Sequence, residues 1–119
     1  MTKRSALIKK LDKIFSNKVR ERDLWNCQFC GKHFTPPTDV LQSSHYFSRR
    51  FLGTRWNLDN LDSLCLTCHG KAENDKRGFY EQFMKDKLGE EGLERLRMKA
   101  YAITKISTVD LERLFKSYV

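Results

Sequence analysis

Two CxxC pairs, Cys27 with Cys30 and Cys65 with Cys68, are the residues of this 119-residue chain whose type and spacing most directly imply chemistry. Four thiolates at about 2.3 Å close a tetrahedral zinc site with no open position, so a zinc held this way is structural. In a reducing compartment two close pairs suit metal ligation better than disulfides; a redox CxxC pair and disulfides are the alternatives. His33 or His69 could also stand in for one thiolate. The separation between the pairs, residues 31–64, exceeds that of a compact zinc ribbon and must hold a substructure. The segments SSHYFSRR and NLDNLDSLCLTCHGK supply a histidine, an asparagine and a histidine in that order: His45, Asn60 and His69.

The elements that must position these residues are short. Apolar residues Leu7, Ile8, Leu11, Ile14, Phe15 and Val19 form one stripe of a helix over Ser5 to Arg22, with Lys and Arg between them. Trp25 to Phe34 reads as a cysteine knuckle turned by Gly31, followed by a rigid Thr-Pro-Pro-Thr loop. Val40 to Phe47 reads as a strand ending near His45, then an irregular loop through Asn60, a second strand over Leu61 to Leu64, and a helix carrying Cys68, His69 and Glu73 that stops by Gly78. Helices follow over Phe79 to Leu88 and Glu90 to about Thr104, jointed at Gly89 and Gly92, and a last one starts at a Ser107 cap and buries Leu111, Leu114, Phe115 and Tyr118. The fold class is therefore α+β and mainly helical. One domain is expected, divided into a basic N-terminal helix (1–24), a cysteine-stapled core (25–77) and a helical extension (78–119).

A net charge of +8 favours a polyanionic partner, because neutralisation of phosphates by Lys and Arg dominates nucleic-acid affinity. No apolar run long enough for a signal peptide or a membrane span is present, so the expected location is the cytoplasm.

The order His45, Asn60, His69, interleaved with the four cysteines, resembles the HNH nucleases, and NLDSLCLTCH is similar to their second-half signature Asn-Leu-x-x-Leu-Cys-x-x-Cys-His. The resemblance covers about residues 5 to 100; the basic first helix, Arg-rich loop and helical tail look like phage and prophage recombination nucleases of the NinG/Rap type. It implies a ββα-metal (His-Me finger) core stapled by the four-cysteine zinc. In that core His45 is the general base, Asn60 fixes the loop and the base, and His69 binds one catalytic divalent cation, Mg²⁺ or another. The chemistry agrees, since an imidazole with a pKa of about 6.5 is neutral at cellular pH and can accept a proton from water. Ser44 departs from the pattern, because many of these enzymes have Asp or His there as a metal ligand; Glu73, one turn beyond His69, or waters could supply the missing donor. Arg49, Arg50 and Arg55 could grip DNA phosphates and Trp56 could stack on an unpaired base, the alternative being simple loop solvation.

The expected function is a metal-dependent DNA endonuclease, phage-derived, acting in recombination or DNA processing on duplex or branched DNA, with a homodimer suiting a junction. The rival expectations are a non-catalytic zinc-stapled nucleic-acid-binding module and an interaction adaptor that uses the tail from Phe79 onward.

Overall fold

The computed structural model describes residues 2–75, 78–102 and 105–118. Helix α1 (Lys3–Arg22) starts two residues ahead of the expected boundary because Thr2 caps it, its hydroxyl accepting the Ser5 N–H at 3.0 Å. Leu7, Leu11, Phe15 and Val19 recur every fourth residue and are buried, as the apolar stripe requires. The helix stops in an unusual way. Leu24 and Trp25 both sit at positive φ, 54° and 61°, and the Trp25 N–H closes back onto the Arg20 carbonyl at 2.9 Å.

Strands β1 (Leu41–His45) and β2 (Leu61–Cys65) form a two-stranded antiparallel sheet, with Leu41 opposite Cys65 and His45 opposite Leu61. The connection between them was expected to be irregular, but it holds a short helix α2 (Leu52–Arg55) and a 3-10 turn over Leu58–Asn60. Asn60 explains the order of this loop. Its fully buried amide accepts the Phe47 N–H at 2.8 Å and donates to the carbonyls of Phe47 and Thr54 at 3.0 and 3.1 Å.

Helix α3 (Leu66–Glu73) follows β2 directly and ends before Gly78, as expected. Helix α4 (Phe79–Ala102) is broken at Gly89, whose φ of 76° and ψ of 163° divide it into arms 79–88 and 90–102, the joint expected there. The expected continuation through Ile103 and Thr104 lies outside the described residues, as do Lys76 and Arg77. Helix α5 (Thr108–Lys116) is capped by the Ser107 hydroxyl, which accepts the Asp110 N–H at 3.1 Å. It ends before Tyr118, so that ring is 40% exposed rather than buried, edge-on to Phe15. Phe79 and Tyr101 stand at the two ends of α4 and are likewise exposed.

Three apolar clusters hold the chain together. α1 packs against Leu111 of α5, Trp56 and Leu61; Phe47 packs among Tyr80, Met84, Leu93, Leu96 and Ala100 of α4; and Leu41 and Leu64 pack around Cys27, Cys65 and Cys68. The result is a mainly helical chain with a small sheet and a four-cysteine cluster at the junction of α1, sheet and α3. Among the described residues no helix is long and apolar enough to cross a membrane.

Candidate functional site

The four cysteine sulfurs converge from three places: the turn after α1 (Cys27, Cys30), the end of β2 (Cys65) and the first turn of α3 (Cys68). All four Sγ atoms lie within 4.8 Å of one another, and Cys30 and Cys65 are 3.9 Å apart. A tetrahedron of Zn–S bonds has edges of about 3.8 Å, whereas a disulfide would need about 2.05 Å. Gly31, at φ 76°, makes the turn that brings the first pair round. Burial alone would raise the Cys27 thiol, but backbone N–H groups of Cys30, Cys65 and Phe29 outweigh it and bring it down to about 7, favouring the thiolate a metal needs. Burial and the three neighbouring sulfurs push Cys68 the other way. The four sulfurs are positioned to hold a metal ion, consistent with a structural zinc. Neither histidine replaces a thiolate, since His33 Nδ1 pairs with the Asn26 side chain at 2.9 Å and His69 turns to Gln42.

A cleft of about 740 Å³ runs along β1, between Ser16 and Arg20 of α1 on one side and His69, Ala72 and Glu73 of α3 on the other. His45, the last residue of β1, lines it. The His45 Nε2 is 3.1 Å from the Arg55 carbonyl, which can only accept, so this nitrogen carries the proton and Nδ1 keeps its lone pair. Burial, reinforced by the Arg49 charge, lowers the His45 pKa to about 4, which keeps the ring neutral at cellular pH.

Across the cleft the His69 Nδ1–H donates to the Gln42 Oε1 at 2.8 Å. That fixes the other nitrogen, Nε2, facing the Glu73 carboxylate at 3.4 Å. A neutral imidazole would direct a lone pair at an anion here, an arrangement relieved by a proton or by a cation bound to both. Ser44 does not join them, because its hydroxyl is 3.0 Å from the Tyr80 hydroxyl. Among the described residues the cysteines are the one group of three or more side chains placed to hold a metal. Opposite Ser44 in the sheet stands Asp62, 1% exposed, its carboxylate 3.0 Å from Lys87 and 3.6 Å from Arg22. Burial outweighs both cations and lifts it to about 6.

The residues expected to touch DNA are divided by the structure. Arg49 lines the cleft and Arg50 is exposed, its guanidinium 4.8 Å from the Phe51 ring. Arg55 instead turns inward onto Asp12, with Nη2 and Nε at 2.7 and 3.1 Å from the carboxylate. Trp56 requires the larger correction. It is 8% exposed in the core with its indole N–H on Asp12 at 2.9 Å, so its ring offers no open face for a base. Asn60 lies behind the cleft, where its carbonyl accepts the Tyr46 N–H at 3.0 Å and so holds the residue after His45.

Sequence reasoning missed Asp12 and Gln42. Asp12 had a signal, being the one acidic residue in positions 1–20. Gln42 had none, because nothing in the sequence marks its contact with His69. Comparison with known protein families, with characterised proteins and with solved structures finds no match to this chain.

Proposed function

We propose that this chain is a metal-dependent DNA endonuclease of the HNH type, its ββα-metal core held by a structural zinc on Cys27, Cys30, Cys65 and Cys68. One observation carries the reading: a single cleft contains a neutral imidazole of defined tautomer, His45, and an imidazole–carboxylate pair, His69 and Glu73. Phosphodiester hydrolysis needs a proton acceptor for the attacking water and relief of the charge gathering on phosphate. In this proposal His45 Nδ1 takes the proton as the water oxygen attacks phosphorus. A divalent cation at His69 and Glu73 would supply Lewis acidity toward the phosphate oxygens. Asn60 is a positioning residue, holding the chain after His45, and the cationic rim at Arg49 suits a polyanion. A branched substrate and a phage recombination setting rest on the resemblance of NLDSLCLTCH and its flanks.

The test is incubation of the pure zinc-loaded protein with supercoiled plasmid and branched oligonucleotides, with added Mg²⁺ or Mn²⁺ or with no added divalent cation. Nicking with the added metals and none without them is expected, with His45→Ala inactive while retaining its zinc and its melting temperature. Undiminished cutting by His45→Ala would refute the mechanism. A second reading, a nucleic-acid-binding module without catalysis, is favoured by Ser44, whose hydroxyl is engaged by Tyr80 and so leaves two protein donors. It predicts binding without cutting in every metal.

A further inference from the structure

The cations of α1 fall into two groups. Lys3 pairs with Glu112, Arg4 donates to the Ile106 carbonyl, and Arg22 pairs with Asp23 and Asp62. Lys10 and Lys18 lie over the rings of Phe115 and Tyr118. Each of these five already has a partner inside the molecule. Lys9, Lys13 and Arg20 are different, for among the described residues none of them is paired with a carboxylate or set over a ring. At 3.6 residues per turn, positions 9, 13, 16 and 20 fall within an arc of about 60°, forming one ridge along the helix.

Arg20 is the cation of this ridge that reaches the cleft, with Ser16 beside it. It is partly buried, yet its Nε–H and Nη1–H go to neutral oxygens, the Leu41 carbonyl at 2.8 Å and the Asn17 side chain at 3.2 Å. A guanidinium withdrawn from water without an anion is costly unless an anion arrives with the ligand. Lys9 and Lys13 continue the ridge outward as exposed residues. From Lys9 to Arg20 the helix rises about 16 Å, close to five phosphate steps of 3.4 Å along one strand.

We infer that this ridge is a phosphate track: a DNA strand seated in the cleft leaves it over Arg20, beside Ser16, and then over Lys13 and Lys9. The inference rests on the nucleic-acid part of the function proposed above and adds the direction in which the substrate runs. Arg49 grips the strand at the cleft, and α1 extends the contact away from it.

The test uses zinc-loaded His45→Ala protein with no added divalent cation, so that cutting does not intervene, with a fluorescent duplex titrated between 50 and 200 mM salt. Each phosphate contact removed lowers the slope of log Kobs against log [salt] by about 0.9. The double variant Lys9→Gln/Lys13→Gln should therefore lose about 1.8 of slope and weaken about 12-fold less than the parent across that salt range. Arg20→Met should lose about a further 0.9, with Arg20→Lys restoring most of it, while Lys99→Gln on α4 leaves the slope unchanged. Arg20 also holds Leu41, so melting temperatures accompany every variant; Lys9 and Lys13 are exposed and decide the matter if Arg20→Met unfolds. A parent that binds with an unchanged slope in the double variant overturns the track and leaves the nuclease reading standing. A parent that binds no DNA at any salt overturns both.

Discussion

His45 and Asp62 should tilt the stability of this protein in opposite directions between pH 7 and pH 5. The His45 ring is held at about 4 in the folded chain, against about 6.5 when unfolded. Across that window the unfolded state binds more protons, so the contribution is present above 6.5 and is lost as pH falls toward 4. Linkage puts the loss between pH 7 and pH 5 at about 2 kcal/mol. Asp62 has the reverse sign, because burial raises it to about 6 from 3.8. Its folded form is favoured when protonated, so stability is full below 3.8 and is lost as pH rises through 6, a gain of about 1.3 kcal/mol on going from pH 7 to pH 5. The two nearly cancel in the wild type. Urea unfolding of zinc-loaded protein at several pH values should show the cancellation broken. His45→Gln should become less sensitive to acid than wild type by about 2 kcal/mol, and Asp62→Asn more sensitive by about 1.3 kcal/mol. Losses common to all three proteins, including thiolate protonation at the metal cluster, drop out of the differences. Parallel curves for wild type and His45→Gln would show that the ring is not held neutral, which would also remove the physical basis for its role as a base.

Removal of metal should have the largest effect on stability, since binding energy at a closed four-thiolate site is folding energy. A strong chelator or Cys65→Ser should therefore lower the melting temperature sharply, and unchanged melting of metal-free protein would overturn the site. Asp12→Ala leaves the Trp56 indole N–H and the Arg55 guanidinium without their acceptor; with Arg55 and Asp12 side chains 18% and 23% exposed, we expect about 2 kcal/mol of destabilisation rather than the 3–5 of a fully buried pair. Asp12→Asn should lose less, because it retains an acceptor for Trp56, and equal losses would show that the indole bond contributes nothing. Leu24→Gly should stabilise the fold by about 0.5–1 kcal/mol, because relief of a left-handed backbone outweighs the entropy a glycine adds to the unfolded chain. Chemical denaturation of the variant would reveal any loss instead.

What could be read from the sequence was whatever local periodicity or spacing encodes. The CxxC pairs announce a metal cluster because four soft ligands at short spacing have few other uses, and the α1 stripe and the Gly89 joint follow from helix period and backbone freedom. Trp56 was misread because position in an Arg-rich loop says nothing about which way a ring faces. Its partner, Asp12, is distant in sequence, and only folding brings a helix carboxylate over that loop. The short helix α2 was missed for a related reason: the loop is ordered by the Asn60 amide, a tertiary cross-link with no local pattern. The Gln42 contact with His69 likewise depends on strand and helix lying side by side.

The two walls of the cleft are held by different devices, and this makes their failures separable. The His69 wall is tied directly to the cysteine cluster, since His69 follows Cys68 on α3. The His45 wall depends on a polar chain that contains no thiol: Asp12 grips Arg55, and the Arg55 carbonyl in turn holds the His45 ring. Loss of metal should therefore disturb the His69–Glu73 pair together with the fold. Loss of Asp12 should release the Arg55 carbonyl and let His45 turn while the cluster stays intact. His45 ring shifts followed by NMR would separate the cases, with Asp12→Ala moving the His45 titration up toward 6.5 while zinc content stays constant. A ring turned into water escapes the burial that chiefly lowers it, and this outweighs loss of the Arg55 carbonyl bond and the Asp12 charge, both of which raise it. A His45 titration unmoved in Asp12→Ala would mean that burial beneath the loop, without the Asp12–Arg55 pair, is enough to hold the ring in its neutral form.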